Sequence, residues 1–378
     1  MSPQSIAILI WLAVSHCIRT FSGHQSGVSS CCFSADGSRI LSVAGDGPKL
    51  WDVASGLEVS PLSEPSERVT ASAFSPDGSW LVTASDQKTL KTWDAVTGRR
   101  LAVFSAGEKV ADDCAVSPDN TRILYGAYGV LGLIDSSTGA PIAAFHLPVD
   151  FWVMRCAFSA DGTRVIAVNN HASELRLWNA GSAEELAALH KDVEYVSWLN
   201  TLNTGLRLDQ DGWGFSRDGT LAVAVFYGAL KVWSISNGVE LARFVRVPEE
   251  EWEWHPRHLN YGRITAWALS PGATRLAIGY DDGATWMWET ATGNLLWAGP
   301  EPQRQSIMSI AFSPGGTHLV SGSVNGRLIL WDAADGMALA SFLAHEQSLN
   351  ACAFHPDGTT VLTASGDATL KLRDLLSL

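Results

Sequence analysis

The chain repeats itself about every 42 residues, and that period limits the available folds more than any other feature. The segment Val69 to Gly98 (VTASAFSPDGSWLVTASDQKTLKTWDAVTG) aligns with Leu349 to Asp374 (LNACAFHPDGTTVLTASGDATLKLRD). The place of Phe74 is filled in turn by Phe33, Phe74, Val116, Phe158, Phe215, Leu269, Phe312 and Phe354, at spacings of 41, 42, 42, 57, 54, 43 and 42 residues. Helical solenoids can share such a period, so content decides between them. Runs rich in Val, Leu, Thr, Ala and Trp, cut by Asp-Gly, favour strands, and strands at this period make a propeller blade.

Within each copy the strands are separated by turns that have a mechanism. Asp36-Gly37, Asp77-Gly78, Asp161-Gly162, Asp218-Gly219 and Asp357-Gly358 occupy the first turn, with Asp119-Asn120, Gly272-Ala273 and Gly315-Gly316 at the same place in the other copies. Asp, Asn and Gly tolerate the positive φ of a tight hairpin. A third strand ends at Trp51, Trp93, Trp178, Trp233, Trp288 or Trp331, and a glycine five residues after that position, such as Gly56, Gly98 or Gly336, leads into a fourth strand.

The pairs Trp51-Asp52, Trp93-Asp94 and Trp331-Asp332, with Gly23-His24 at the head of the first copy, carry a resemblance to the WD-repeat family over nearly the whole chain. The CAFS-PDG-like cores and TLKLWD-like strands also resemble repeat regions attached to signalling NTPases and death-type effectors. The resemblance implies an all-β propeller of four-stranded blades with copies at approximately 23–61, 62–103, 104–144, 145–188, 189–243, 244–297, 298–341 and 342–378. Eight copies give eight blades. Seven is the alternative, if the irregular fifth copy around Gly212 to Phe215 is only an insertion.

The apolar run Ile6 to Val14 has two readings. It could be the core of a signal peptide, although it lacks a basic leader and is too short to span a bilayer. It could instead be repeat: Trp11 stands five residues before His16 as Trp51 stands before Gly56, so CIRTF (Cys17 to Phe21) becomes an outer strand. On the second and favoured reading, residues 1–22 clasp the last blade, whose own chain ends too soon after Asp374 to supply a fourth strand. A closed ring leaves no free sheet edge.

With 26 basic and 39 acidic residues the net charge is −13, which disfavours nucleic acid and anionic membrane as partners. Cys31, Cys114, Cys156 and Cys352 share one register position, as small buried hydrophobes would. No cysteine pair has zinc spacing, and cysteine used as filler suggests a reducing, cytoplasmic setting. No cofactor and no metal site are expected. His255 and His258 with Glu251 lack ligand spacing.

The family resemblance implies a buried network of His24, Ser42, Asp46 and Trp51 in the first copy, and His345, Thr363 and Asp367 in the last, where Arg373 replaces Trp. Gln87 and Asn325 stand where other copies would carry the Asp. Ser, His and Asp could be taken for a nucleophilic triad, but that chemistry needs an exposed nucleophile and an oxyanion site. The expected role is structural.

Two segments break the period, between Leu189 and Asp211 and between Phe244 and Arg263. They carry Tyr195, Trp198, Trp252, Trp254, His255, Arg257 and Tyr261, residue types enriched at binding hot spots. Such loops either bind a partner or pack against a blade, and both readings stand. The expected function is a non-catalytic protein-interaction scaffold or ligand sensor, a monomeric propeller within a larger signalling assembly. The alternative is a small-ligand or enzymatic site in the central channel, for which the acids at hand are Asp112, Asp113 and Asp281.

Overall fold

The computed structural model describes residues 17–62, 67–169, 174–190, 213–216, 220–226, 229–234, 239–244, 263–299 and 305–375. They form eight four-stranded antiparallel sheets arranged as the blades of a propeller. Blade 1 runs outward through Val28–Phe33, Arg39–Ala44, Gly47–Asp52 and Glu58–Pro61. Blades 2 to 7 repeat this order over 69–105, 111–145, 153–190, 213–244, 264–298 and 307–343. The fifth copy is a complete blade whose inner strand, Trp213–Phe215, is short. The count is therefore eight, not seven.

Burial follows position in the blade. The second strands are almost wholly buried, as in Trp80–Ser85 and Thr360–Ser365, because neighbouring blades cover both faces. The outer strands alternate, as Arg100–Ser105 does, because one side looks outward. Leu, Val and Ile fill the covered positions, and Trp51, Trp178 and Trp331 are among the largest fully buried side chains. The first turn works as its residues predict. Gly37, Gly78, Asn120, Gly162, Ala273, Gly316 and Gly358 hold positive φ between 54° and 76°. At Asp36 the Ser34 hydroxyl, then the Ser38 amide and hydroxyl, donate to the carboxylate and hold its pKa at about 2.

The ring closes through blade 8, ordered Leu349–Phe354, Thr360–Ser365, Thr369–Asp374 and then Cys17–Ser22. Phe21 faces Leu370 across the pairing, and Ser22 faces Thr369. Residues 1–16 lie outside the described residues, and the third-strand place in this blade belongs to Thr369–Asp374. Phe21 is fully buried against Val28, Ile40 and Trp51 of blade 1 and Leu362 and Leu370 of blade 8. Its ring meets Trp51 edge-on at 5.9 Å. Arg19 Nη1 donates to the Ser55 carbonyl at 2.6 Å.

The seam is built like the internal joints. Arg122 of blade 3 donates to the carbonyl of Gly162 in blade 4, and Arg275 of blade 6 to that of Gly316 in blade 7. At the seam His355 Nε2 of blade 8 reaches the Gly37 carbonyl of blade 1 at 3.3 Å. Near the start of most inner strands a register shift breaks the ladder, as between Ala111 and Asp113 or Leu349 and Ala351. Such bulges re-aim side chains. Here Asn350 Nδ2 donates to the Val28 carbonyl, and Asp113 accepts from the Cys156 amide, each on the next inner strand.

Removing Phe21 should therefore loosen two blades at once. Phe21→Ala is expected to cost about 3–5 kcal/mol in denaturant unfolding, and deletion through Ser22 to cause aggregation. An unchanged melting curve for the deletion would contradict the clasp.

Candidate functional site

The polar cluster with the most organised geometry is the network of blade 1. His24 leads into the inner strand, Ser42 lies on the second strand, Asp46 in the following turn and Trp51 on the third strand. Trp51 Nε1 is 2.8 Å from Ser42 Oγ, Ser42 Oγ is 2.7 Å from His24 Nε2, and His24 Nδ1 is 2.9 Å from Asp46 Oδ1. The indole can only donate, so Ser42 Oγ accepts it and turns its own proton to His24 Nε2. The imidazole proton then sits on Nδ1 and goes to Asp46. One tautomer satisfies every group, with the ring neutral.

The same distances would suit a nucleophile and its base, but Ser42 is 0% exposed and its oxygen is held by the indole. No substrate carbonyl can reach it. Burial pushes His24 below its ordinary pKa despite the adjacent carboxylate. Burial would raise Asp46, but hydrogen bonds from His24 and the Gln25 amide outweigh it and hold the carboxyl below its usual range. Blade 8 repeats the arrangement with His345 Nδ1 2.9 Å from Asp367 and Nε2 2.8 Å from Thr363 Oγ1. Arg373 takes the Trp place and donates to the Ala344 carbonyl at 2.6 Å.

Other blades keep fragments. Trp93 donates to Thr83, and Trp331 to Ser321, both at 2.9 Å. In blade 4 Ala167 holds the register place of Ser42, and the buried Trp178 Nε1 has no partner among the described residues. Blade 2 lacks the His and instead buries an ion pair, Lys91 Nζ to Glu67 Oε2 at 2.5 Å. No sequence motif pointed to that pair, since its members lie 24 residues apart in unlike contexts.

The acids considered for a channel site are committed. Asp113 accepts from the Cys156 amide at 2.7 Å and pairs with Arg155, Asp281 accepts from the Arg263 amide at 2.7 Å, and Asp112 accepts from the Trp152 indole. All six cysteines are free. Burial raises the thiol pKa at Cys31, Cys114, Cys156 and Cys352, the last to about 12, so these sulfurs behave as packing atoms. Among the described residues no three His, Cys, Asp or Glu side chains form a metal-binding group, and no helix is long and apolar enough to cross a membrane.

Tyr195, Trp198, Trp252, Trp254, His255, Arg257 and Tyr261 lie outside the described residues. The strands bounding their segments are described. One connection leaves the outer strand Glu185–His190 for the inner strand Trp213–Phe215, and the other leaves Glu240–Phe244 for Ile264–Leu269. Both therefore run outer to inner between adjacent blades and start and finish at the same end of the propeller.

Fold and network together define an eight-bladed propeller whose first and last blades carry a buried His, Asp and Ser or Thr network, with fragments of it in other blades. Four segments, 15–52, 57–94, 299–332 and 336–374, match the family model described as WD domain, G-beta repeat, so the chain carries WD repeats at these positions. Three of the four matched segments start just before an outer strand and end with the third strand of the next blade, so repeat and blade are offset by one strand there; the segment 299–332 starts after the outer strand Leu295–Ala298. An uncharacterized WD repeat-containing protein of Deinococcus radiodurans is 43% identical over 61 residues, 16% of this chain and 23% of that protein. Apoptotic protease-activating factor 1 of Rattus norvegicus is 23% identical over 70% of this chain and 22% of its own length. WD repeat-containing protein 1 of Xenopus tropicalis is 25% identical over 44% of this chain and 28% of its own. The chain thus spans about a quarter of each of these relatives. Among solved structures, the computationally designed protein Ika8 superposes with a TM-score of 0.71 at 22% identity, covering 94% of this chain and 98% of that one, a likeness of fold.

Two outcomes follow from the network. Ser42→Ala should cost about 1–3 kcal/mol by orphaning the indole, whereas Ala167→Ser, which supplies Trp178 with an acceptor, should gain about 1 kcal/mol in urea unfolding. The second concerns pH. His24 and His345 are held neutral in the fold, so the unfolded chain takes up their protons first, below about pH 6.5. Their contribution is complete above that pH and falls as pH drops toward 5. The depressed Asp46 and Asp367 extend the loss to lower pH, since their contribution is present above about pH 4 and disappears through their folded values. Melting curves should decline over pH 6.5–5, and His24→Gln should flatten that slope.

Proposed function

We propose that this propeller is a non-catalytic protein-interaction module whose working face is the end carrying the outer-to-inner connections, and that it serves as the sensor part of a larger signalling assembly. The carrying observation is that both insertions into the repeat connect adjacent blades at that one end, while the Ser-His-Asp groups are consumed in tying the entry to a blade to that blade's own strand and turn. A WD-repeat propeller is consistent with an interaction scaffold. Rigid scaffolds commonly carry function on inserted loops. Trp252, Trp254, His255, Arg257 and Tyr261 on one insertion, and Tyr195 and Trp198 on the other, supply the residue types that anchor interfaces. Similarity over most of the chain to a protein named for activating an apoptotic protease supports the sensor reading. The six free cysteines support a reducing compartment such as the cytoplasm, and the net charge of −13 supports protein rather than nucleic acid or membrane as partner.

Affinity capture with the intact chain and with a Trp252→Ala/Trp254→Ala double variant tests the reading. The variant should lose a defined subset of partners while keeping its melting temperature. Identical partner sets would remove the loop from the interface. Catalytic metal, or robust turnover in a hydrolase screen, would overturn the non-catalytic assignment.

A further inference from the structure

A second surface at the same end of the propeller carries an organised aromatic pair that the repeat does not require. Tyr128 sits in the turn between the second and third strands of blade 3, and Trp152 immediately precedes the inner strand of blade 4. Their backbones pair as an isolated antiparallel bridge, and the Gly129 amide donates to the Phe151 carbonyl at 2.9 Å. Phe151 is buried in the apolar cluster of blades 3 and 4, while Trp152 is 37% and Tyr128 44% exposed. The rings meet edge to face at 6.2 Å.

Each ring is fixed at its polar tip. Tyr128 Oη donates to Asp150 at 2.7 Å, and Trp152 Nε1 donates to Asp112. Asp150 holds a φ of 64°, a left-handed conformation outside the ladder, in order to sit there. Beside it Val149 is 92% exposed. Aromatic rings already locked lose little entropy on binding, which is the property of a hot spot.

The chemistry of the ligand is already displayed. Lys109, from the connection that enters blade 3, places its ammonium 5.7 Å from the centre of the Tyr128 ring. The exposed face of that ring is thus a cation site, with the carboxylates of Asp112 and Asp150 bonded to the same aromatic pair. The chain as a whole carries −13, so a cationic partner would be drawn toward it. We propose that Tyr128, Trp152, Asp112 and Asp150 form a recognition site for an arginine- or lysine-bearing peptide segment of a protein partner, in which Lys109 is an internal placeholder that the incoming cation displaces. The site rests on the interaction-module reading but uses none of the insertion residues.

The test is a fluorescence-polarisation titration of the intact chain with labelled glycine-spaced peptides carrying arginine, glutamate or norleucine. The arginine peptide is expected to bind and the other two are not. Lys109→Ala removes the competitor and should tighten binding by about threefold, the size of one exposed cation–π contact. Tyr128→Phe keeps the ring and should retain binding, whereas Tyr128→Leu leaves the net charge unchanged and should abolish it. That contrast separates ring recognition from bulk attraction. If Tyr128→Leu lowers the melting temperature, the sign of the Lys109→Ala effect still decides. Weaker binding by Lys109→Ala, equal binding by Tyr128→Leu and wild type at unchanged stability, or no arginine preference would each overturn the site. None of these results bears on partner capture by the intact propeller, so failure here and failure of the wider reading stay separate.

Discussion

The pairing of Cys17–Ser22 with Thr369–Asp374 is the contact on which the remaining architecture depends. A blade is stable here because each face meets another blade, and a linear chain of blades would leave two faces and one strand edge bare. The clasp supplies the missing outer strand and sends Phe21 between blades 8 and 1. With the circle complete, the Asn350–Val28 and His355–Gly37 contacts can form across the seam as their counterparts do elsewhere. The buried second strands of the blades beside the seam, Arg39–Ala44 and Thr360–Ser365, depend on that closure.

Polar groups inside such a stack must be matched, and the blades match them unequally. Blade 1 satisfies indole, hydroxyl, imidazole and carboxylate in one directional chain. Blade 2 keeps the Trp93–Thr83 contact and buries Lys91 against Glu67, an arrangement that costs far more to break on one side than to replace altogether. Blade 8 substitutes Arg373, whose guanidinium lies over Phe342 at 5.3 Å and bonds a carbonyl. Blades 4 and 6 each leave an indole nitrogen, of Trp178 and Trp288, unmatched among the described residues. The repeat tolerates these differences because apolar packing between faces carries most of the stability, and each polar group adjusts it by a kilocalorie or so.

Features that recur in register were legible from residues alone. The Phe position, the Asp-Gly turn and the Trp of the third strand each mark a fixed place in the pleat, and CIRTF could be matched to an outer strand because Trp11 and His16 kept the spacing. Contacts between unlike positions were not legible. Asp112 and Asp113 looked like scattered acids, yet one holds the Trp152 indole and the other an amide of the next blade. The bulge that aims them has no residue signature. Tyr128 and Trp152 meet because a turn of one blade lies beside the entry to the next, a proximity created by the circle rather than by the period. The insertions drew notice for breaking the spacing, while this pair sits in copies of ordinary length.

The one-strand offset between repeat and blade gives the circle no privileged beginning. Cys17 lies opposite Arg373, so the first and last strands of the ring are already side by side. An outer-to-inner connection is the natural opening of a circularly permuted ring in which the strand ending at Asp374 is linked to the strand starting at Cys17. An added or lost repeat would likewise change the circumference by one whole blade while leaving the same kind of strand exchange at the junction. Blade number in this architecture is therefore a count of units threaded onto a ring that one strand exchange closes.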